Sequence, residues 1–149
     1  MYIYWLCLLP FILWFLGIFF AADRLNSTKA RVLFDLAGVL CFLLGVVLYW
    51  YRVFPSKPEF FVAAFAVPLI FLGSFELLRL IYEKVRHETP CINVRSGRWI
   101  GDRPVDGFFT QYPPGKVISW ADVLFGISQM LIPMVITMAV FIITLVAGS

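Results

Sequence analysis

Residues 123–149 read VLFGISQMLIPMVITMAVFIITLVAGS and contain no charged side chain. An α-helix needs about 20 apolar residues to cross roughly 30 Å of hydrocarbon, at a rise of about 1.5 Å per residue. The stretch lacks the alternation of period two that marks a barrel strand, and lipid offers no water to an open backbone. It therefore predicts a transmembrane helix.

Three other apolar runs of similar length precede it, at residues 1–22, 32–51 and 60–82. We predict an all-α polytopic membrane protein, a single membrane domain over residues 1–149, with four transmembrane helices in an up-down bundle. The helices are expected at residues 2–22, 32–51, 60–82 and 120–147. A small irregular or hairpin loop, residues 83–116, would join the third helix to the fourth.

The composition supports the same conclusion. The chain of 149 residues is 62% hydrophobic and 14% charged, against roughly 25% charged residues in soluble domains. A soluble domain of this size still exposes about a third of its chain surface. The composition therefore excludes a soluble enzyme, a free nucleic-acid-binding module and a disordered chain.

The alternative interpretation of the first run is a cleaved signal peptide. No basic residue precedes it, and a cut after Ala22 would place Phe20 where cleavage needs a small residue. We therefore interpret residues 1–22 as a spanning helix.

The distribution of basic residues predicts the orientation. With four spans, segments 23–31 and 83–116 share one side of the membrane, and the opposite side carries only Arg52 and Lys57. Basic residues in short loops stay cytoplasmic, so we expect both termini on the non-cytoplasmic side of a bacterial inner (plasma) membrane. The nine basic residues on the cytoplasmic side are Arg24, Lys29, Arg31, Lys84, Arg86, Arg95, Arg98, Arg103 and Lys116.

Four ionisable side chains fall within the predicted spans, and such groups are costly in lipid. They are Asp35, Glu76, Arg79 and Asp122. All four lie near the cytoplasmic ends of their helices, which is not the midplane position usual for transport sites. A functional interpretation is a polar cluster that meets a partner's charge or conducts protons, with Glu76 as its main candidate.

A structural interpretation of the same charges rests on local spacing. Arg31 and Asp35 are spaced i,i+4, as are Arg79 and Glu83, and Arg79 also follows Glu76 by three residues. Residues 119–122 (SWAD) match a capping box, with the carboxylate in the first helical turn. This interpretation adds one interhelical pair to Arg79.

Small residues and sulfur side chains give further expectations. Small side chains that let another helix approach closely lie at Ala37, Gly38, Cys41 and Gly45. Prolines inside the spans, which bend helices, are Pro10, Pro68 and Pro133. Met130, Met134 and Met138 form a stripe that could suggest Cu(I), but Met is more often a packing residue.

No metal site, cofactor or catalytic centre is predicted. His87 and Cys91 form an isolated pair, whereas closed zinc sites need four ligands. No G-x-S-x-G, P-loop or H-E-x-x-H motif occurs.

The loop 83–116 is too short to fold as an independent domain. Its arginine and aromatic side chains are typical of interface centres, although packing on the membrane surface is an equal alternative. These candidate contact residues are Arg95, Arg98, Trp99, Arg103, Phe108, Phe109 and Tyr112.

We therefore expect a non-enzymatic protein that acts through helix and loop contacts. It would be an accessory or regulatory subunit, or an inhibitor or immunity-type binder, in a hetero-complex with other integral membrane proteins and lipid, without nucleic acid. One alternative is a small oligomeric proton-coupled transporter that uses Glu76. Another is a subunit of an electron-transfer complex that contacts a cofactor held by its neighbours.

Overall fold

A computed structural model describes residues 12, 14, 22–53, 58–91, 99–105 and 112–147. Within these residues all regular secondary structure is helical, without strands. A short 3-10 helix (Ala22–Asn26) precedes three α-helices, which are α1 (Thr28–Trp50), α2 (Pro58–Arg86) and α3 (Trp120–Ala147).

Three helical segments are long and apolar enough to cross a membrane, and they are Thr28–Trp50, Glu59–Arg86 and Trp120–Val146. The predicted all-helical class is thereby confirmed. The first predicted span, 2–22, lies outside the described residues except for Ile12, Trp14 and the end at Ala22. Ile12 and Trp14 are helical.

Two helices extend beyond their predicted apolar runs. α1 begins at Thr28 instead of residue 32, and α2 covers Pro58–Arg86 instead of 60–82. Hydropathy marks only the apolar part of a helix, while Lys, Arg and Glu are good helix formers that continue it into the polar layer. The connection between α2 and α3 is consequently residues 87–119. The fourth predicted span, 120–147, agrees with α3.

The C-terminal ends of α1 and α2 each place a non-glycine residue in the left-handed region. Arg52 has a φ of 48° and His87 a φ of 55°. After α1, Arg52 N donates to Tyr49 O at 3.0 Å and Val53 N donates to Leu48 O at 3.2 Å. These two bonds form a Schellman motif, which satisfies carbonyl groups left open by the end of the helix.

α2 is the central helix of the described structure. Within the described residues, α1 and α3 each pack on α2 and not on each other. Aromatic pairs follow the α2–α3 interface, with ring centroids 5.9 Å apart for Phe75 and Phe125 and 5.0 Å apart for Phe60 and Phe141. Leu25 of the 3-10 helix is buried in the same cluster as Phe75 and Phe125.

Two glycines bring α1 close to α2. A Cβ atom on Gly45 would lie 2.5 Å from Phe65 Cβ, and one on Gly38 would lie 2.9 Å from Leu72 Cδ1. Both glycines are buried, whereas Ala37 is exposed and Cys41 half-buried. The small-residue face of α1 thus packs against a helix of its own chain at its glycine positions.

The described parts of the loop contain two tight turns with glycine at the third position. Asp102 N donates to Trp99 O at 3.0 Å, with a φ of 100° at Gly101. Residues 113–116 form a similar turn with a φ of 79° at Gly115. A positive φ at this position is what a type II turn requires.

Of the hairpin that the sequence allows at residues 92–100, only Trp99 and Ile100 are described, and they lie in the first of these turns. Its remaining residues, 92–98, lie outside the described residues.

Candidate functional site

Most ion pairs and side-chain hydrogen bonds between described residues lie at the loop end of the helices, where α2 ends and α3 begins. They form two groups. The Glu76 network consists of Arg31, Glu76, Arg79 and Glu83. The Asp122 cluster consists of Tyr82, Cys91, Lys116, Ser119 and Asp122.

Within the Glu76 network, one carboxylate lies between two guanidinium groups. Arg79 donates from Nε and Nη2 to Glu76 Oε2 at 3.0 and 2.9 Å. Arg31 Nη1 of α1 donates to Glu76 Oε1 at 3.3 Å. Arg79 Nη1 also donates to Glu83 Oε1 at 2.7 Å. The network therefore joins α1 to α2 and compensates the charge of Glu76 twice.

The i,i+3 and i,i+4 pairs of Arg79 are formed as the spacing predicts, but the predicted pair of Arg31 with Asp35 is wrong. Arg31 contacts Glu76 and Thr28 instead. The interhelical ion pair is consequently made by Arg31 and not by Arg79. Asp35 is half-buried and forms no hydrogen bond or ion pair within the described residues. Close packing of α1 on α2 at Gly38 brings Arg31 within reach of the second helix.

Of the charged groups that the structure describes, Asp122 is the most deeply buried, with 1% of its side chain exposed. It accepts hydrogen bonds from Ser119 N at 2.8 Å and Ser119 Oγ at 2.7 Å. Asp122 N in turn donates to Ser119 Oγ at 3.4 Å. These reciprocal bonds are those of a capping box, and they fix the first turn of α3.

The same carboxylate also ties α2 and the loop to α3. Asp122 Oδ1 accepts hydrogen bonds from Tyr82 Oη at 2.8 Å and from Cys91 N at 2.7 Å. Lys116 Nζ lies 3.5 Å from Oδ1. Because both oxygens are fully engaged, Asp122 holds the two ends of the loop together and has no free position for a ligand.

Lys116 continues the cluster towards the surface. Its side chain is 4% exposed, and its Nζ donates to Glu88 Oε2 at 2.7 Å. Burial by itself would lower the pKa of Lys116, but the bond to Glu88 and the charge of Asp122 outweigh it and raise that pKa. The bond from Lys116, followed by its charge, lowers the pKa of Glu88.

These two shifts predict how stability depends on pH. Because the pKa of Glu88 is lowered on folding, its contribution is complete above the unfolded value of about 4.3. It is lost as the pH falls through the folded pKa. The raised pKa of Lys116 makes its contribution complete below about 10.4, and it is lost at higher pH.

Between about pH 4.3 and about pH 10.4, we expect the wild type to be more stable than Glu88→Gln. Below the folded pKa of Glu88, we expect the two proteins to be equally stable. The measurement is the SDS concentration that unfolds each protein in mixed micelles, taken across pH. A difference that stays constant down to the most acid samples would contradict this assignment.

The structure describes some of the remaining predicted site residues. Trp99 is 80% exposed, Arg103 is exposed, and Tyr112 is half-buried. Arg95, Arg98, Phe108 and Phe109 lie outside the described residues. Met134 and Met138 are exposed on the apolar face of α3 while Met130 is half-buried. Within the described chain no group of three or more His, Cys, Asp or Glu side chains could hold a metal ion.

Sequence reasoning missed Tyr82, Lys116 and Gln129. Gln129 is 3% exposed in the middle of α3, and neither Oε1 nor Nε2 of its amide group has a hydrogen-bond partner among the described residues. Thr137, eight residues later in the same helix, is 2% exposed, and its Oγ1 has no hydrogen-bond partner in the described part of the chain. A lone Gln within an apolar run is the available signal for such a position, since buried polar groups are normally paired.

An open cleft of about 370 Å³ adjoins the Asp122 cluster. It lies beside the end of α2 and the segment that leads into α3. Its lining residues are Arg86, Glu88, Pro113, Pro114, Gly115, Lys116, Val117 and Ser119.

Comparison of this chain with protein-family models, with curated proteins and with solved structures finds no match.

Proposed function

We propose that the protein is a non-enzymatic integral membrane protein that docks onto another membrane protein. It would act as an accessory or regulatory subunit, or as an inhibitor or immunity-type binder. The observation that carries the proposal is Trp99, whose side chain is 80% exposed on a turn of fixed geometry.

The backbone around Trp99 is held by hydrogen bonds on both sides of the turn. Trp99 N donates to Asp102 Oδ2 at 2.8 Å. Gly101 N donates to Ile118 O, and Ile118 N donates to Asp102 O, each at 2.9 Å. The indole is therefore presented from a preorganised support, and little entropy is lost when it enters a partner's pocket. Exposed tryptophans on such supports are frequent binding hot spots.

The charged groups in the spans support a structural role over proton transport. Glu76 is compensated by Arg31 and Arg79, and Asp122 by four hydrogen bonds and Lys116. Both oxygens of each carboxylate already accept hydrogen bonds from other groups of the chain. This favours a subunit that acts by contact over the transporter alternative.

The proposal includes four spans with the 87–119 loop on the cytoplasmic side of a bacterial inner membrane. The excess of basic residues on that side of the predicted topology supports it. Trp99 would then meet the cytoplasmic surface of the partner. The apolar faces of α1 and α3 would meet lipid or the partner's helices.

The test is replacement of Trp99 by alanine in protein extracted with a mild detergent. We expect wild type to migrate as a stoichiometric hetero-complex, and Trp99→Ala to lose most of that complex, since hot-spot tryptophans contribute about 2–4 kcal/mol. The measurement is the ratio of complex to free protein by native mass spectrometry. Trp50→Ala is the matched control. Trp50 is 81% exposed, like Trp99, but it lies at the C-terminal end of α1, away from the loop.

Two outcomes would contradict the proposal. One is an equal loss of complex in Trp99→Ala and Trp50→Ala, which would indicate a general packing effect. The other is proton flux by the purified protein in liposomes that Glu76→Gln abolishes without unfolding it, which would support the transporter.

A further inference from the structure

The cleft beside the Asp122 cluster lies at the level where two helices leave the apolar layer. Arg86 is the last residue of the span Glu59–Arg86, and Ser119 directly precedes the span Trp120–Val146. In a bilayer this level is the headgroup layer. Trp120, 69% exposed at the same level, is of the residue type that prefers that layer.

The cleft carries one available positive group and one available negative oxygen. Arg86 is exposed and makes no hydrogen bond or ion pair within the described residues. Glu88 uses Oε2 for Lys116, while its side chain is 50% exposed and its Oε1 has no hydrogen bond in the same residues. The cleft therefore offers opposite charges to one ligand.

Lys116 does not add a second available cation. Its ammonium group is shared between Glu88 and Asp122 and is almost completely buried. A purely anionic ligand would have to meet the free carboxylate oxygen of Glu88. A zwitterionic ligand can instead satisfy Arg86 and Glu88 together.

We propose that this cleft binds the headgroup of a phospholipid that carries both a phosphate and a primary ammonium group. The phosphate binds the guanidinium of Arg86, whose planar donors match phosphate oxygens. The ammonium donates hydrogen bonds to Glu88. Apolar walls at Pro113, Pro114 and Val117 contact the methylene groups of the headgroup. A quaternary ammonium cannot donate such bonds, so the site distinguishes ethanolamine from choline.

The test uses delipidated full-length protein, native mass spectrometry and added phosphatidylethanolamine, phosphatidylcholine or phosphatidylglycerol. We expect phosphatidylethanolamine to bind about tenfold more tightly than the other two, the effect of one hydrogen bond to a charged group. Arg86→Gln should weaken its binding about tenfold. Glu88→Gln should remove the preference over phosphatidylcholine, and Lys84→Gln, which changes an exposed cation of the same helical turn outside the cleft, should change neither.

Soluble glycerophosphoethanolamine separates a lipid site from a site for a free zwitterion. Without acyl chains to hold it at the headgroup layer, it is expected to bind at least tenfold more weakly than the lipid. Equal binding of the soluble compound would overturn the lipid assignment. Equal binding of all three lipids, a preference for phosphatidylglycerol, or equal effects of Arg86→Gln and Lys84→Gln would overturn the site itself.

Discussion

Replacing Asp122 with alanine is expected to lower the free energy of unfolding by about 3–5 kcal/mol, the usual cost of removing one partner of a buried ion pair. The change leaves Tyr82 Oη and Cys91 N without their acceptor. It also removes the acceptor for Ser119 N, and with it the capping box at the start of α3. Lys116 stays buried with a single counter-charge on Glu88. The measurement is SDS-induced unfolding in mixed micelles.

A second measurement shows whether the loop is released. Cys91 is 1% exposed, and its backbone is held by Asp122. With Cys7 and Cys41 replaced by alanine, Cys91 is the remaining thiol of the three in the chain. We expect Asp122→Ala to accelerate its reaction with a water-soluble maleimide under conditions where the helices stay folded.

Asp35→Ala is the matched control for this change. Asp35 is likewise an aspartate within a helix, but it is only half-buried and has no hydrogen bond or ion pair within the described residues. We expect its removal to change stability by less than about 0.5 kcal/mol. Equal losses at Asp35 and Asp122, or a Cys91 that remains protected in Asp122→Ala, would contradict the role given to the Asp122 cluster.

Replacing Gly45 with alanine is expected to cost about 1–3 kcal/mol, the range for overpacking in a closely packed interior. The new Cβ would lie 2.5 Å from Phe65 Cβ and 3.0 Å from Phe65 Cγ. Phe65 Cβ is fixed to the backbone, so a rotamer change cannot relieve the contact. α1 and α2 must move apart, and the interface around both glycines loosens.

The other glycines provide a graded control series. At Gly38 the nearest atom is the terminal Cδ1 of Leu72, at 2.9 Å, which can move at lower cost. At Gly126 a new Cβ meets nothing within 4 Å, so alanine is expected to raise stability by up to about 1 kcal/mol through helix propensity. The expected order of SDS midpoints is Gly126→Ala, wild type, Gly38→Ala, then Gly45→Ala. A Gly45→Ala variant as stable as Gly38→Ala would show that the helices are not held at this separation.

Hydropathy alone was sufficient to predict the three described helices, because a charge-free run such as 123–149 has few stable alternatives in lipid. It could not predict where α2 ends, since Glu83 and Arg86 are polar yet helical. The orientation in the membrane and the first predicted span stay predictions. The physical reason is that composition indicates whether a segment lies in lipid or in water, whereas the position of a helix end depends on local hydrogen bonds.

In the candidate site, contacts within one helical turn could be predicted, whereas contacts between distant residues could not. The capping box at residues 119–122 could be predicted because both of its partners lie in one helical turn. The bonds from Tyr82 and Cys91 to Asp122 join residues 40 and 31 positions apart in the sequence. Only tertiary packing brings these groups together. The i,i+4 spacing of Arg31 and Asp35 failed for the same reason, because a long side chain can prefer a neighbouring helix.

The position of Asp122 in the chain has a consequence for biosynthesis. Tyr82, Glu88 and Cys91 leave the ribosome before Asp122 and the helix that follows it. The hydrogen bonds that tie the connection between α2 and α3 to Asp122 can therefore form only after the first turn of α3 has been made. A nascent chain that is stopped before this turn retains the polar residues of the connection but lacks the carboxylate that closes it.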